Sequence, residues 1–156
     1  MARPGRVTRD GPCLMGENWY SQTGLRFRCL PGCSACCGSG DGFVAMTPQE
    51  FGAICEFLST TADELAGTKI EPCNSHFVVK MTPQGRCPFA EVSGCAIYSV
   101  RPTQCWAWPW WNSNLESPDT WCRAARRCPG IGVGRVWELA EIRMHADAQA
   151  RSTPFR

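Results

Sequence analysis

Four cysteines fall within nine residues, in Cys29-Leu-Pro-Gly-Cys33-Ser-Ala-Cys36-Cys37, and no other stretch restricts the chain so tightly. Free thiols at this density cross-react, so a CxxxCxxCC run either ligates a metal or metal cluster or is locked into disulfides. Compartment arbitrates between the two. The start, Met-Ala-Arg-Pro-Gly-Arg-Val-Thr-Arg-Asp, has no apolar core of a secretory signal. Pro4, Gly5 and Asp10 also interrupt any amphipathic transit helix. The expected location is therefore cytoplasmic and reducing, where clustered cysteines serve metal or redox chemistry more often than structural bridges.

The remaining composition mainly excludes. Lys and Arg exceed Asp and Glu by only 16 to 14, so no strong field argues for nucleic acid as a partner. No apolar run approaches the roughly 20 residues that span a bilayer, so no membrane is expected. At 156 residues the chain fits one domain of ordinary size. An irregular N-terminal tail is expected over 1–24, a cysteine-rich domain over 25–134, and a C-terminal helix and tail over 135–156.

Local patterns place the elements between the cysteines. Phe43 to Met46 reads as a short strand. Thr47-Pro48-Gln49-Glu50 then carries a capping box with proline at the first helical position. Phe51, Ile54, Cys55 and Leu58 follow at helical spacing, so Cys55 reads as a small core hydrophobe. A second box, Thr61 with Glu64, starts a helix ending near Gly67. Phe77 to Met81 reads as a strand. Glu91-Val-Ser-Gly94 reads as the turn of a hairpin flanked by Cys87 and Cys95. Arg135 to Ala150 reads as a closing helix with Trp137, Ala140, Met144 and Ala148 on one side. The expected fold is α+β: a small, irregular, cysteine-rich metal-binding domain of short helices and hairpins.

Besides the nonet, Cys73, Cys87, Cys95, Cys105, Cys122 and Cys128 supply more thiols than one metal site needs, since Zn²⁺ and a [4Fe-4S] cluster each take four. Adjacent Cys36 and Cys37 are expected to point apart, giving at least two spatial groups. Neither His76 nor His145 sits in a nucleophile or base motif. Gly130-Ile-Gly-Val-Gly134 follows Cys-Pro and not a strand, so it reads as an ordinary loop. Trp106, Trp108 and Trp110 share a face if the chain is extended there. They form either a water-excluding wall beside the metal or a docking patch for a protein partner.

These residues carry a resemblance. Phe27-Arg28-Cys29 with Cys33, Cys36 and Cys37, the Thr47 to Glu50 helix start, Cys87-Pro88-Phe89, Gly94-Cys95-Ala96-Ile97-Tyr98, Arg101-Pro102-Thr103-Gln104-Cys105 and Cys128-Pro129-Gly130 follow one another as in the CxxCxxCC cysteine-cluster family, the YkgJ-like zinc- or iron-chelating domain. The resemblance implies eight metal ligands: Cys29, Cys33, Cys36, Cys37, Cys87, Cys95, Cys105 and Cys128. Cys13, Cys55, Cys73 and Cys122 fall outside the pattern. It also implies zinc or iron as cofactor, with an iron-sulfur cluster as one form, because some flagellin lysine methylases contain a similar domain linked to such a cluster. The implied roles are metal handling, redox or structure, with methyl or electron transfer and a zinc-stabilised interaction module as alternatives.

Arg101 is expected beside the site, offsetting the negative charge of the thiolates and donating to sulfur. The chain departs from the family in one place, with three residues between Cys29 and Cys33 where the family has two, a gap that a Pro31-Gly32 turn can absorb. The departure creates the CxxxCxxC spacing of radical S-adenosylmethionine enzymes. The chain is too short for their partial barrel.

Overall fold

The computed structural model describes residues 19–38 and 43–153. Cys13 and most of the expected tail lie outside them. In chain order the elements are β1 (Leu25–Phe27), β2 (Ala45–Met46), α1 (Pro48–Leu58), α2 (Ala62–Leu65), β3 (Ile70–Cys73), β4 (His76–Val79), β5 (Ala90–Glu91), β6 (Gly94–Cys95), α3 (Thr103–Trp106), α4 (Asn112–Leu115), α5 (Pro118–Arg127), β7 (Ile131–Trp137) and α6 (Leu139–Ser152). Short 3-10 turns cover Ala35–Gly38 and Tyr98–Val100. This is the small α+β domain that the sequence predicts, and among the described residues all three sheets are antiparallel.

Two hydrophobic cores form, each from different parts of the chain. The first sits on the sheet β2-β4-β3 and is closed by α1, whose Phe51 and Ile54 are buried against Met46, Ile70, Val79, Phe89 and Ile97. Thr47 starts α1 as predicted: its hydroxyl accepts from Glu50 N and the Glu50 carboxylate accepts from Thr47 N at 2.7 Å. Thr61 and Glu64 do the same for α2.

The second core gathers Leu25, Phe27, Trp110, Leu115, Trp121, Cys128, Ile142 and Ala146. Trp110 stacks on Trp121 at 5.3 Å and meets Phe27 edge-on at 5.5 Å. Such contacts add about 1 kcal/mol per pair beyond burial. Its frame is the pairing of β1 with β7, a contact between segments more than a hundred residues apart. Gly130 closes the frame. Arg28 N donates to Gly130 O at 3.1 Å, and a Cβ on Gly130 would lie 2.2 Å from Arg28 O.

The helix predicted from Arg135 starts later, at Leu139. Arg135 and Trp137 belong to β7, because pairing with Leu25 and Arg26 satisfies backbone groups that would otherwise enter the helix. Glu138 N, at the cap, donates to the Glu141 carboxylate at 3.0 Å. The buried side of α6 is Ile142 and Ala146, while Met144, predicted on that side, is 57% exposed.

Helix α3 joins the two cores. Gln104, itself buried, accepts from Ala45 N at 2.8 Å and donates to Phe43 O. Thr103 N donates to Glu50 at 2.7 Å. On its other side Trp106 packs edge-on against His145 of α6 at 4.9 Å. Cys105 on α3 is thus held by a polar clamp built by Glu50 and Gln104.

Candidate metal centre

A cavity of about 360 Å³ opens between the two cores. Seven of the eight predicted ligands line it: Cys29, Cys33, Cys36, Cys37, Cys87, Cys95 and Cys105. Arg101, Tyr98 and Trp108 stand in the same wall. The eighth, Cys128, lies behind that wall in the second core, against which Cys29 and Trp108 also pack. Cys55, Cys73 and Cys122 line none of it; Cys55 packs on the first core, as predicted, and Cys122 is disulfide-bonded.

Each thiol is delivered by a local device. The three-residue gap after Cys29 is a tight turn: Cys33 N donates to Leu30 O at 3.1 Å and Gly32 takes φ +71, the arrangement that Pro-Gly favours. This turn docks on the β5–β6 hairpin, where a Cβ on Gly94 would lie 3.2 Å from Gly32 Cα. The insertion is therefore absorbed against the hairpin, and Cys29 still faces the cavity. Cys36 and Cys37 do not point apart as predicted. The 3-10 turn carries both to the cavity, and Cys87 N donates to Cys37 O at 2.8 Å, bringing the second-half thiol to them. Cys105 enters on α3.

The sulfurs interact. The Cys37 thiol donates towards Cys36 and towards Cys87, so Cys37 holds its proton and its pKa is raised. The same donation lowers Cys36 to about 6 and Cys87 to about 7, against burial in both cases. Tyr98 donates to Cys29, which together with burial raises the phenol's pKa. Burial raises Cys105, with the charges of Cys36, Cys87 and Cys95 adding to it. Arg101 acts in the opposite sense on Cys36, Cys95 and Cys105, and its guanidinium lies 3.9 Å over the Tyr98 ring. Arg101 thus stands beside the thiols in the cavity wall. Tyr98 was not anticipated, although its three-residue spacing to both Cys95 and Arg101 is visible in the sequence.

Among the described residues no three cysteine, histidine or carboxylate groups stand in the geometry of a formed metal site. The donor chemistry nonetheless fits a thiophilic metal. Cys37 shares its proton with Cys36 and Cys87, and among the described residues no carboxylate or histidine lines the cavity to favour a hard ion. One buried polar atom also lacks a partner among the described residues, the indole nitrogen of Trp108.

The three tryptophans do not share a face. The segment is wound, with Trp108 N donating to Cys105 O and Trp110 N to Ala107 O, so each ring goes a different way. Trp110 is 1% exposed and offers no surface to a partner, while Trp108 and Trp111 wall the cavity.

A sequence profile of the CxxCxxCC family, described as a "putative zinc- or iron-chelating domain", matches residues 28–123. The chain belongs to this family. No solved structure matches it. The match takes in the seven cavity cysteines and stops short of Cys128. Metal binding is the property that the family and the thiol-lined cavity share. No helix among the described residues is long and apolar enough to cross a membrane.

Proposed function

We propose that the chain holds a thiolate-ligated zinc or iron centre in the cavity between its two cores. The ligands are drawn from Cys29, Cys33, Cys36, Cys37, Cys87, Cys95 and Cys105, with Cys128 reaching in from behind. The observation that carries this reading is the convergence of seven thiols from four separate segments on one cavity. In it Arg101 offsets thiolate charge, Tyr98 orients Cys29, and Trp108 and Trp111 exclude water. A zinc centre would supply structural rigidity, and an iron-sulfur centre would add one-electron chemistry.

The cavity favours more than one ion. Seven thiols line it, more than the four that one zinc ion takes. This supports a cluster or a binuclear site, and with it the alternative role in electron or methyl transfer. A docking module built on the three tryptophans is disfavoured by the burial of Trp110. The reading requires only that the seven cavity thiols stay reduced, as they are here while Cys122 is disulfide-bonded.

Anaerobic purification followed by metal analysis and a visible spectrum tests the reading. Stoichiometric zinc or iron is expected, with acid-labile sulfide and colour if the centre is a cluster. A protein that retains neither metal refutes it. Cys36→Ser and Cys95→Ser should each abolish retention while Cys55→Ser and Cys13→Ser leave it intact, and equal loss in all four would overturn the ligand assignment.

A further inference from the structure

Trp108 lines the cavity and packs on the core that holds Cys128, and its buried Nε1 has no hydrogen-bond partner among the described residues. Buried donors are almost always satisfied, so an orphaned indole N–H calls for a physical account. The neighbouring Trp111 shows the ordinary solution: its Nε1 donates to Gln104 O at 2.9 Å. Trp137 donates to Phe27 O at 2.9 Å in the same way. Trp108 alone among these three has no oxygen within reach.

What it does have nearby is sulfur. Trp108 packs on the core cluster in which, among the described residues, Cys128 is the only buried sulfur residue. Cys128 is brought there by the clasp of Arg28 N on Gly130 O, which also brings Cys29, one residue on from Arg28, to the cavity. A sulfur that binds metal accepts hydrogen bonds more strongly than a neutral thiol, because ligation replaces its proton and leaves negative charge on it.

We infer that Trp108 is a positioning residue whose indole N–H is held for the metal-bound sulfur of Cys128, fixing that sulfur as a ligand from behind the cavity wall. The inference rests on the proposed metal centre and goes beyond it, since it gives the cysteine outside the family match a defined support. In the metal-free protein the N–H is poorly satisfied. Loading the site completes the bond.

The test titrates anaerobic, metal-free protein with Zn²⁺ against a chromophoric chelator in wild type, Trp108→Phe, Cys128→Ser and the double variant. Loss of a supporting donor of this kind weakens metal binding by about tenfold or more. Trp108→Phe should show that loss in the wild-type background and no further loss in the Cys128→Ser background. Nitrogen-labelled tryptophan provides a second readout by NMR: one indole N–H signal should shift on zinc addition in wild type and stay in place in Cys128→Ser. That comparison decides the question even if Trp108→Phe does not fold. Wild-type affinity in Trp108→Phe, equal losses in both backgrounds, or identical indole shifts in wild type and Cys128→Ser would each overturn the inference while leaving the metal centre standing. A wild-type protein that takes up no zinc and no iron would remove both.

Discussion

Single side chains at the cavity serve as switches of charge as well as walls. Cys37 is the clearest case, because one thiol proton stabilises two neighbouring thiolates. Replacing it with alanine removes the donor, so the Cys36 pKa should climb from about 6 towards its ordinary value. In metal-free protein at pH 7, alkylation of Cys36 should accordingly be slower in Cys37→Ala than in wild type. Mass spectrometry across a pH series would show the rate midpoint moving upward. Glu50 makes a second prediction. Burial alone would raise its pKa, but hydrogen bonds from Thr103 and Thr47 outweigh burial and hold it low. A depressed carboxylate contributes stability above its unfolded value, about 4.3, and that contribution fades as pH falls through the lower folded value. Glu50→Gln should therefore lower the melting temperature at neutral pH, and the gap from wild type should close in that acid window.

Among the elements, the longest-range one is also the most sensitive. Strand β1 has three residues and is held to β7 where Gly130 meets Arg28. Gly130→Ala forces a methyl to within 2.2 Å of a carbonyl oxygen, so the strands must part. Overpacking of this kind costs about 1–3 kcal/mol, measurable by denaturant unfolding. Thr47→Ala removes one side of the α1 capping box and should cost about 1 kcal/mol by the same measurement. The two sites differ in how plainly the sequence announces them. Thr47-Pro-Gln-Glu50 and Thr61 to Glu64 are complete local signals, and both helices start there. Helix α5 carries a related signal in Ser117-Pro118 with Thr120, where Thr120 takes the place of the usual Glu or Gln, and it was not anticipated. The β1–β7 pairing has no local signal at all. Its register depends on the approach of residues a hundred positions apart, so the run from Arg135 reads as helix by propensity until tertiary pairing overrides it.

For the whole molecule, two small cores meet across a seam lined with thiols. Each alone is too small to be comfortably stable, and the bridge between them is the Glu50 and Gln104 clamp on α3. A metal ligated from Cys29, Cys36, Cys87 and Cys105 would tie both halves together, so its binding energy would count as folding energy. Stripping metal with a chelator should lower the melting temperature and broaden the transition in scanning calorimetry, as the cores begin to melt separately. A ligand present at a thousandfold its Kd adds about 4 kcal/mol, so the shift should be large. An unchanged transition after complete metal removal would show that the cores are joined by protein contacts alone.

The sequence by itself determined the chemistry: the thiol donors, the family, the α+β class and the helices that start at capping boxes. These are local facts, written in residue identity and short spacing. Only the tertiary structure decided that the thiols share one cavity, that Cys36 and Cys37 face the same way, that Trp110 belongs to the core, and that Tyr98 and Trp108 line the cavity with the sulfurs. The reason is physical. Convergence of Cys29, Cys87 and Cys105 follows from pairing and packing across distant segments, such as Arg28 on Gly130 and Gly32 against Gly94, which no window of neighbouring residues contains.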